Sequence, residues 1–397
     1  MLVSTVELAW RARRAAGLGV TGTAGLGLDW GAVIARKNRL VAEWSAGKDT
    51  GFERQGIAVL RGRATFRGPH ELDVAGRRVT AERVVIATGS SPARPPIPGI
   101  EHAVTSDELL DLTTLPSRMV VVGGGYVGME LGFAFARAGT RVTVLQSGPH
   151  VLPAVDDEIR EALLGIGRDA GLEVRTGARV TRMGADRTVE AEVGGRAERF
   201  PAEIVLVATG RPPNTAGLGL EAAGVTVERG GVKVNEFRQS TTAPYVYAAG
   251  DVTGQHQHTP AAWYEGRLVA ENAPQGNQRA VDFRWFPTAV FTIPAIGQIG
   301  LTEAEARRQG LEVSVSRVPF EDSTAAAVRE ETEGLVKVVA EASTGRLLGV
   351  HILGPGAEDL IHVAAAAMRG GLTRHDLAAM HYVFPTLAGS IFDAMYD

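Results

Sequence analysis

Gly123, Gly125 and Gly128 stand in the order Gly-x-Gly-x-x-Gly directly after the apolar run Val120-Val121-Val122. Each position has a chemical use. Gly123 permits a sharp turn, Gly125 lets backbone approach a pyrophosphate, and Gly128 lets a following helix pack closely on the strand. That helix, opening at Tyr126 and Val127, would turn its first N–H groups toward the anion. Gln146 follows the next strand, where an acidic residue would bind the ribose 2′-hydroxyl of NAD. A neutral side chain there does not repel a 2′-phosphate, so NADP(H) is favoured and NAD(H) permitted. Asp251, just past a third strand end, is placed to accept hydrogen bonds from ligand hydroxyls.

The sequence contains no cysteine. That count excludes a thiolate nucleophile, a disulfide, a Cys-ligated metal and an internal redox dithiol from these residues. His256-x-His258 has no acidic or Cys partner nearby and reads as solvated loop rather than as a metal site.

The elements that must position these groups follow from periodicity. Met119 to Leu145 reads as strand, helix and strand, with the helix stopping at Gly139. Val6 to Ala16 and Trp30 to Gly47 read as helices, the second with Ala32, Val33, Leu40 and Val41 as its apolar residues, and Gly17 to Gly27 as a loop. Ala58–Leu60, Ala64–Phe66, Glu71–Val74 and Arg78-Val79 read as short strands. Arg83 to Ile86 is a buried-strand pattern ending in Ala87-Thr88-Gly89-Ser90, and a Pro-rich connection follows. Glu158 to Ala170 reads as a helix. Val174, Val180, Val189 to Val193 and Arg199-Phe200 suggest a small antiparallel section. Ile204 to Val207 ends in Ala208-Thr209-Gly210-Arg211, so Val-x-x-Ala-Thr-Gly occurs twice. The repeat suggests either two related nucleotide-binding halves or two ordinary strand ends. Thr259-Pro260 opens a further helix. From Phe283 onward, strands and then helices describe a separate α+β domain.

With 397 residues the chain has room for two or three domains, and 45% hydrophobic with 22% charged residues is ordinary for a globular protein. A formal net charge of −4 points to neither nucleic acid nor an anionic membrane as partner. No run approaches a membrane span, and the N-terminus lacks the order of a signal peptide, so a cytoplasmic location is expected.

These landmarks resemble the pyridine nucleotide–disulfide oxidoreductase family. They are Ala87 to Ser90, Gly123 to Glu130, Ala208 to Asn214, Ala248-Ala249-Gly250-Asp251, and Phe291-Thr292 with Gly300 to Glu303, in the family's order over nearly the whole chain. The resemblance implies an α/β fold with Rossmann-like nucleotide-binding domains and a C-terminal α+β dimerisation domain. Residues 1–116 and 242–282 would form an incomplete FAD-binding domain, 117–241 an inserted NAD(P)-binding domain, and 283–397 the dimerisation domain. It implies FAD contacts at Thr88, Gly89, Gly250, Asp251 and Thr259, with Asp251 on the ribityl chain. Gly210 would complete the nucleotide contacts, and Tyr126 would cover the flavin until nicotinamide displaces it.

Three departures from the family pattern bear on function. The family opens with a strand, a Gly-x-Gly-x-x-Gly turn and a helix for the adenosine half of FAD, then a redox Cys-x-x-x-x-Cys. Met1 falls just after the place where that segment would end. The family's His-Pro-Thr-x-x-Glu matches Phe384-Pro385-Thr386-Leu387-Ala388-Gly389, and neither Phe nor Gly can relay or orient a proton. His381 and Tyr382 stand close by in sequence. Glu130 matches a carboxylate that pairs with a Lys beside the cysteines, so it expects a partner that this chain does not supply.

The expectation is an FAD-dependent NAD(P)H oxidoreductase passing electrons to a small-molecule acceptor that is not a disulfide, with no catalytic residue assigned. FAD binding itself requires the missing adenosine segment. The chain would form a homodimer through the C-terminal domain. The alternative is an inactive nucleotide-binding remnant, or one part of a split or longer flavoprotein.

Overall fold

The computed structural model describes residues 1–23 and 25–396. The chain divides into two compact units. One comprises Met1–Asn38, Arg94–Thr209 and Arg284–Asp397, and the other Arg39–Ala93 and Gly210–Phe283.

In the first unit, a parallel sheet has the strand order Ile204–Val207, Arg118–Val122, Arg141–Gln146 and Leu172–Thr176. Its central strand is apolar at every position from Met119 to Val122 because both faces are covered. One face receives the helix Tyr126–Ala138, which is buried nearly all round and ends on Gly139 in the left-handed conformation, φ 118°. The helix Leu2–Arg14 packs against it through Leu2 and Val6, and Trp30 meets Phe135 edge to face, with ring centroids 4.9 Å apart. The other face, with Val120, Val122, Leu145, Val205 and Val207, lies under an antiparallel meander of Ala178–Met183, Val189–Val193 and Arg196–Phe200. Val174 does not belong to that meander. It lies in the parallel strand Leu172–Thr176, where its register partner is Val144. A single apolar residue carried no information on strand direction.

The C-terminal part of this unit is a five-stranded antiparallel sheet, Thr288–Val290, Ala295–Gly300, Leu347–Gly354, Leu335–Glu341 and Val313–Pro319 in spatial order, with Ala357–Gly370 packed across it. This matches the α+β pattern read from Phe283 onward. Lys337 is buried within it, and its Nζ donates to Asp156 at 2.9 and 3.1 Å and lies 3.0 Å from Glu303 and 3.2 Å from Glu158. Arg317 joins the cluster, its Nε 2.6 Å from Glu158. Burial is the largest influence on Asp156 and opposes its charge, but the Lys337 hydrogen bonds, the charges of His351 and Lys337 and the Glu158 N–H together outweigh it and hold the carboxyl below its usual range. Asp156 also caps the helix Asp157–Asp169 by accepting the Glu158 N–H.

The second unit has an antiparallel sheet of Ala64–Gly68, Glu71–Val74 and Arg77–Thr80 and a two-stranded parallel sheet of Val84–Ile86 and Val246–Ala248. Residues 58–60 form no strand. Val59 and Leu60 are exposed, and residues 58–60 pair with no strand among the described residues. The helix expected over Trp30 to Gly47 extends to Arg54, and its Val41 is exposed rather than buried.

Among the described residues, no helix is long and apolar enough to cross a membrane.

Candidate functional site

The glycine turn is built as its spacing requires. Gly123 has φ 110°, and a Cβ there would lie 2.3 Å from the Ala208 carbonyl oxygen. A Cβ on Gly128 would lie 2.0 Å from the Gly123 carbonyl oxygen, so only glycine lets helix and turn touch. Gly125 differs: a Cβ there would meet nothing within 4 Å and would project into open space above the helix start. Gly125 is the N-cap of that helix and no side chain caps it, which leaves the Val127 and Gly128 N–H groups for an external acceptor. Open space beside Gly125, next to uncapped amides, fits the pyrophosphate of a pyridine dinucleotide.

Gln146 sits at the end of its strand as expected, and its role is now visible. Its Oε1 accepts the Gly124 N–H at 3.0 Å, which fixes the carboxamide beside the turn. Behind the turn, the Leu152 N–H donates to the Gly124 carbonyl at 2.8 Å. Leu152 is buried and has φ 44°, a conformation that a branched side chain rarely adopts. Nothing in the spacing of Val151-Leu152 announces this support, because it depends on how the chain returns to the turn.

Tyr126 opens the helix half-buried, and burial, then the charge of Glu130, push its hydroxyl pKa up. Glu130 does find a partner within the chain, contrary to expectation. Its Oε1 accepts the Phe291 N–H at 3.0 Å. Burial still raises its carboxyl above the usual range, and that hydrogen bond offsets only part of the shift.

In the second unit, Val84–Ile86 and Val246–Ala248 pair in parallel and end together, so their following loops are neighbours. Asp251 accepts the Ser90 hydroxyl at 2.6 Å, and Arg211 Nε donates to the same hydroxyl at 3.1 Å. Thr88 donates to the Asn214 carbonyl at 2.7 Å, and Asn214 Nδ2 returns a bond to the Thr88 carbonyl at 2.9 Å. Gly89 and Gly250 have φ 69° and 76°. Gly210 has φ 125°, and its carbonyl accepts the Ala93 N–H at 2.9 Å. The Gly250 N–H donates to buried Glu265 at 2.7 Å, and Glu265 lies 3.0 Å from buried Arg238. Thr259 opens the helix Thr259–Gln275, which has no side-chain cap. Thr88, Gly89, Gly250 and Asp251 are thus brought together, with Ser90 and Arg211 as polar members that the spacing did not single out. The open space at Gly89, the Asp251 carboxylate and the uncapped Thr259 helix suit part of a flavin cofactor. The Val84–Ile86 strand has no ladder partner on its second edge among the described residues, and Val85 is 47% exposed.

Both Val-x-x-Ala-Thr-Gly segments end parallel-paired strands, one in each unit. His256 stacks on Phe283 at 4.0 Å, and no group of three or more metal-capable side chains occurs among the described residues. Phe384 is exposed. Tyr382 donates to Asp393 at 3.0 Å and stacks on Phe392, so its hydroxyl is held within its own segment.

Comparison with known proteins matches residues 10–266 to the pyridine nucleotide-disulphide oxidoreductase family and 286–395 to its dimerisation domain. A mercuric reductase of Bacillus cereus is 37% identical over 373 residues, covering 92% of this chain and 59% of that protein. A dihydrolipoyl dehydrogenase of Thermus scotoductus is 41% identical over 348 residues, covering 85% and 74%. The chain spans 59% and 62% of the lengths of the mercuric reductases from Bacillus cereus and Staphylococcus aureus. Among solved structures, LpdA of Mycobacterium tuberculosis superposes with a TM-score of 0.87 at 29% identity, covering 99% of this chain and 88% of that one. The HOCl-induced flavoprotein disulfide reductase RclA of Escherichia coli gives 0.87 at 29% identity, covering 98% and 89%. The chain belongs to the pyridine nucleotide-disulphide oxidoreductase family, whose members use FAD and NAD(P)H.

Proposed function

We propose that this chain is an FAD-dependent NAD(P)H oxidoreductase whose electrons leave for a small-molecule acceptor that is not a disulfide. The observation that carries the reading is the open space over Gly125 at an uncapped helix start. The Val127 and Gly128 amides would hold the pyrophosphate of the dinucleotide. Gln146, anchored by its oxygen on Gly124, keeps its amide NH₂ as the group that meets the ribose. A neutral donor there tolerates a 2′-phosphate, which favours NADPH over NADH. Tyr126 would screen the nicotinamide position from water, and Asp251 with the Thr259 helix start would hold the flavin side. A bound flavin would supply the chemistry of hydride acceptance and onward electron transfer. The absence of cysteine from the 397 residues excludes a thiol relay supplied by them. The family's dimerisation domain at 286–395 supports a homodimer.

A second reading is favoured by one observation. The Val84–Ile86 strand leaves an edge open in a two-stranded parallel sheet, whereas parallel sheets are normally covered and extended. A further strand laid on that edge would complete the flavin half of the site, making these residues one part of a longer or split flavoprotein.

The absorbance spectrum of the purified protein, with and without NADPH, tests both readings. A flavin band bleached by NADPH supports the first. Colourless protein that retains NADPH supports the second. Protein that does neither refutes both.

A further inference from the structure

The glycine turn lies where the parallel strands of the first unit end, and a separate cavity of about 400 Å³ opens where the same strands begin. Arg118 and Arg141 start adjacent strands as register partners. Arg168 stands in the last turn of the helix Asp157–Asp169, and the chain returns through Gly171, whose carbonyl accepts the Val142 N–H at 3.0 Å. Three arginines therefore converge on one cavity, with Phe200 as its aromatic wall.

Adjacent strands lie about 4.8 Å apart. Like charges placed opposite each other at that spacing repel and cost stability. The carboxylates at hand relieve the repulsion only in part: the Ser117 hydrogen bonds, and then the Arg118 charge, hold the Glu203 carboxyl below its usual range. Glu173, which lines the cavity, lies 3.2 Å from Arg175, and Glu203 accepts the Ser117 N–H at 2.9 Å. Among the described residues, Arg118, Arg141 and Arg168 form no ion pair. The volume falls within the range of about 300–1,000 Å³ typical of small-molecule sites. It lies roughly 15 Å along the strands from the glycine turn, taking about 3.3 Å per residue.

We propose that this cavity is a second binding site, distinct from the dinucleotide site, for a small ring-bearing phosphate monoester. The guanidinium forks match a doubly charged phosphate, and Phe200 offers a face or edge to the ring. Binding neutralises the arginines that the fold has set side by side.

Phenyl phosphate is the minimal probe, with inorganic phosphate as the ring-free comparison, each titrated calorimetrically into the whole protein. The expected result is saturable binding of phenyl phosphate, tighter than that of inorganic phosphate. The double variant Arg118→Gln/Arg141→Gln should weaken it at least about tenfold, since a charge-assisted bond is lost at each position. Arg118→Lys/Arg141→Lys should recover part of the affinity, and Arg179→Gln, on an exposed strand of the meander, should leave it unchanged. Circular dichroism checks that each variant is folded. Absence of saturable binding, binding unchanged in the double Gln variant, or inorganic phosphate binding as tightly as phenyl phosphate would overturn the proposal.

Discussion

Replacing Gly125 by Ala separates the ligand role of the glycine turn from its structural role. Gly125 has φ −77° and ψ −171°, which alanine adopts without strain. Its Cβ would meet no atom within 4 Å. The fold should therefore tolerate the change. Alanine caps a helix less well than glycine by about 0.5–1 kcal/mol, but removing glycine freedom from the unfolded chain returns about 0.4–1 kcal/mol. The net effect on stability is near zero. The added methyl group instead occupies the space through which a phosphate must approach the Val127 and Gly128 amides. Losing one charge-assisted hydrogen bond costs about 1.5–3 kcal/mol. The NADPH dissociation constant should rise about ten- to a hundredfold. Titration followed by nicotinamide fluorescence measures it, alongside a melting curve without ligand. A Gly125→Ala protein that melts like the wild type and binds NADPH equally well would refute the placement of the pyrophosphate.

Other substitutions test the remaining parts of the argument. Gly128→Ala puts a Cβ 2.0 Å from a backbone oxygen, so helix and turn must separate; it should lower stability by about 1–3 kcal/mol in urea melts, where Gly125→Ala does not. Lys337→Met removes the only cation hydrogen-bonded to the buried Asp156 among the described residues, leaving Arg317 on Glu158 and Glu303, and should cost about 3–5 kcal/mol near neutral pH. Asp156 and Glu303 have depressed pKa values in the folded state, so their stabilisation is present above the unfolded value near pH 4 and is lost as pH falls through the folded one. The Lys337→Met deficit should therefore shrink in urea melts below about pH 4. Glu130 is the opposite case: its folded pKa is raised, so its charge opposes folding once pH exceeds the unfolded value. Glu130→Gln keeps an acceptor for the Phe291 N–H and should raise the melting temperature near neutral pH but not near pH 4.

Local spacing made much of the molecule legible in the sequence. The glycine turn, its flanking strands, the helix stop at Gly139 and the Thr259-Pro260 helix start each depend on neighbours within a few residues, where steric rules act directly. The absence of cysteine needed no structure at all. Tertiary structure decided the rest. Phe291 is far from Glu130 in sequence, and only the packing of the C-terminal sheet brings its N–H to that carboxylate. Contacts that local spacing does not announce also join Lys337 to Asp156, set Leu152 behind Gly124 and pair Val174 in the parallel sheet, and residues 58–60 form no strand. Hydrogen bonds and ion pairs act only at contact distance, so which distant residues meet is fixed by the folded path of the chain.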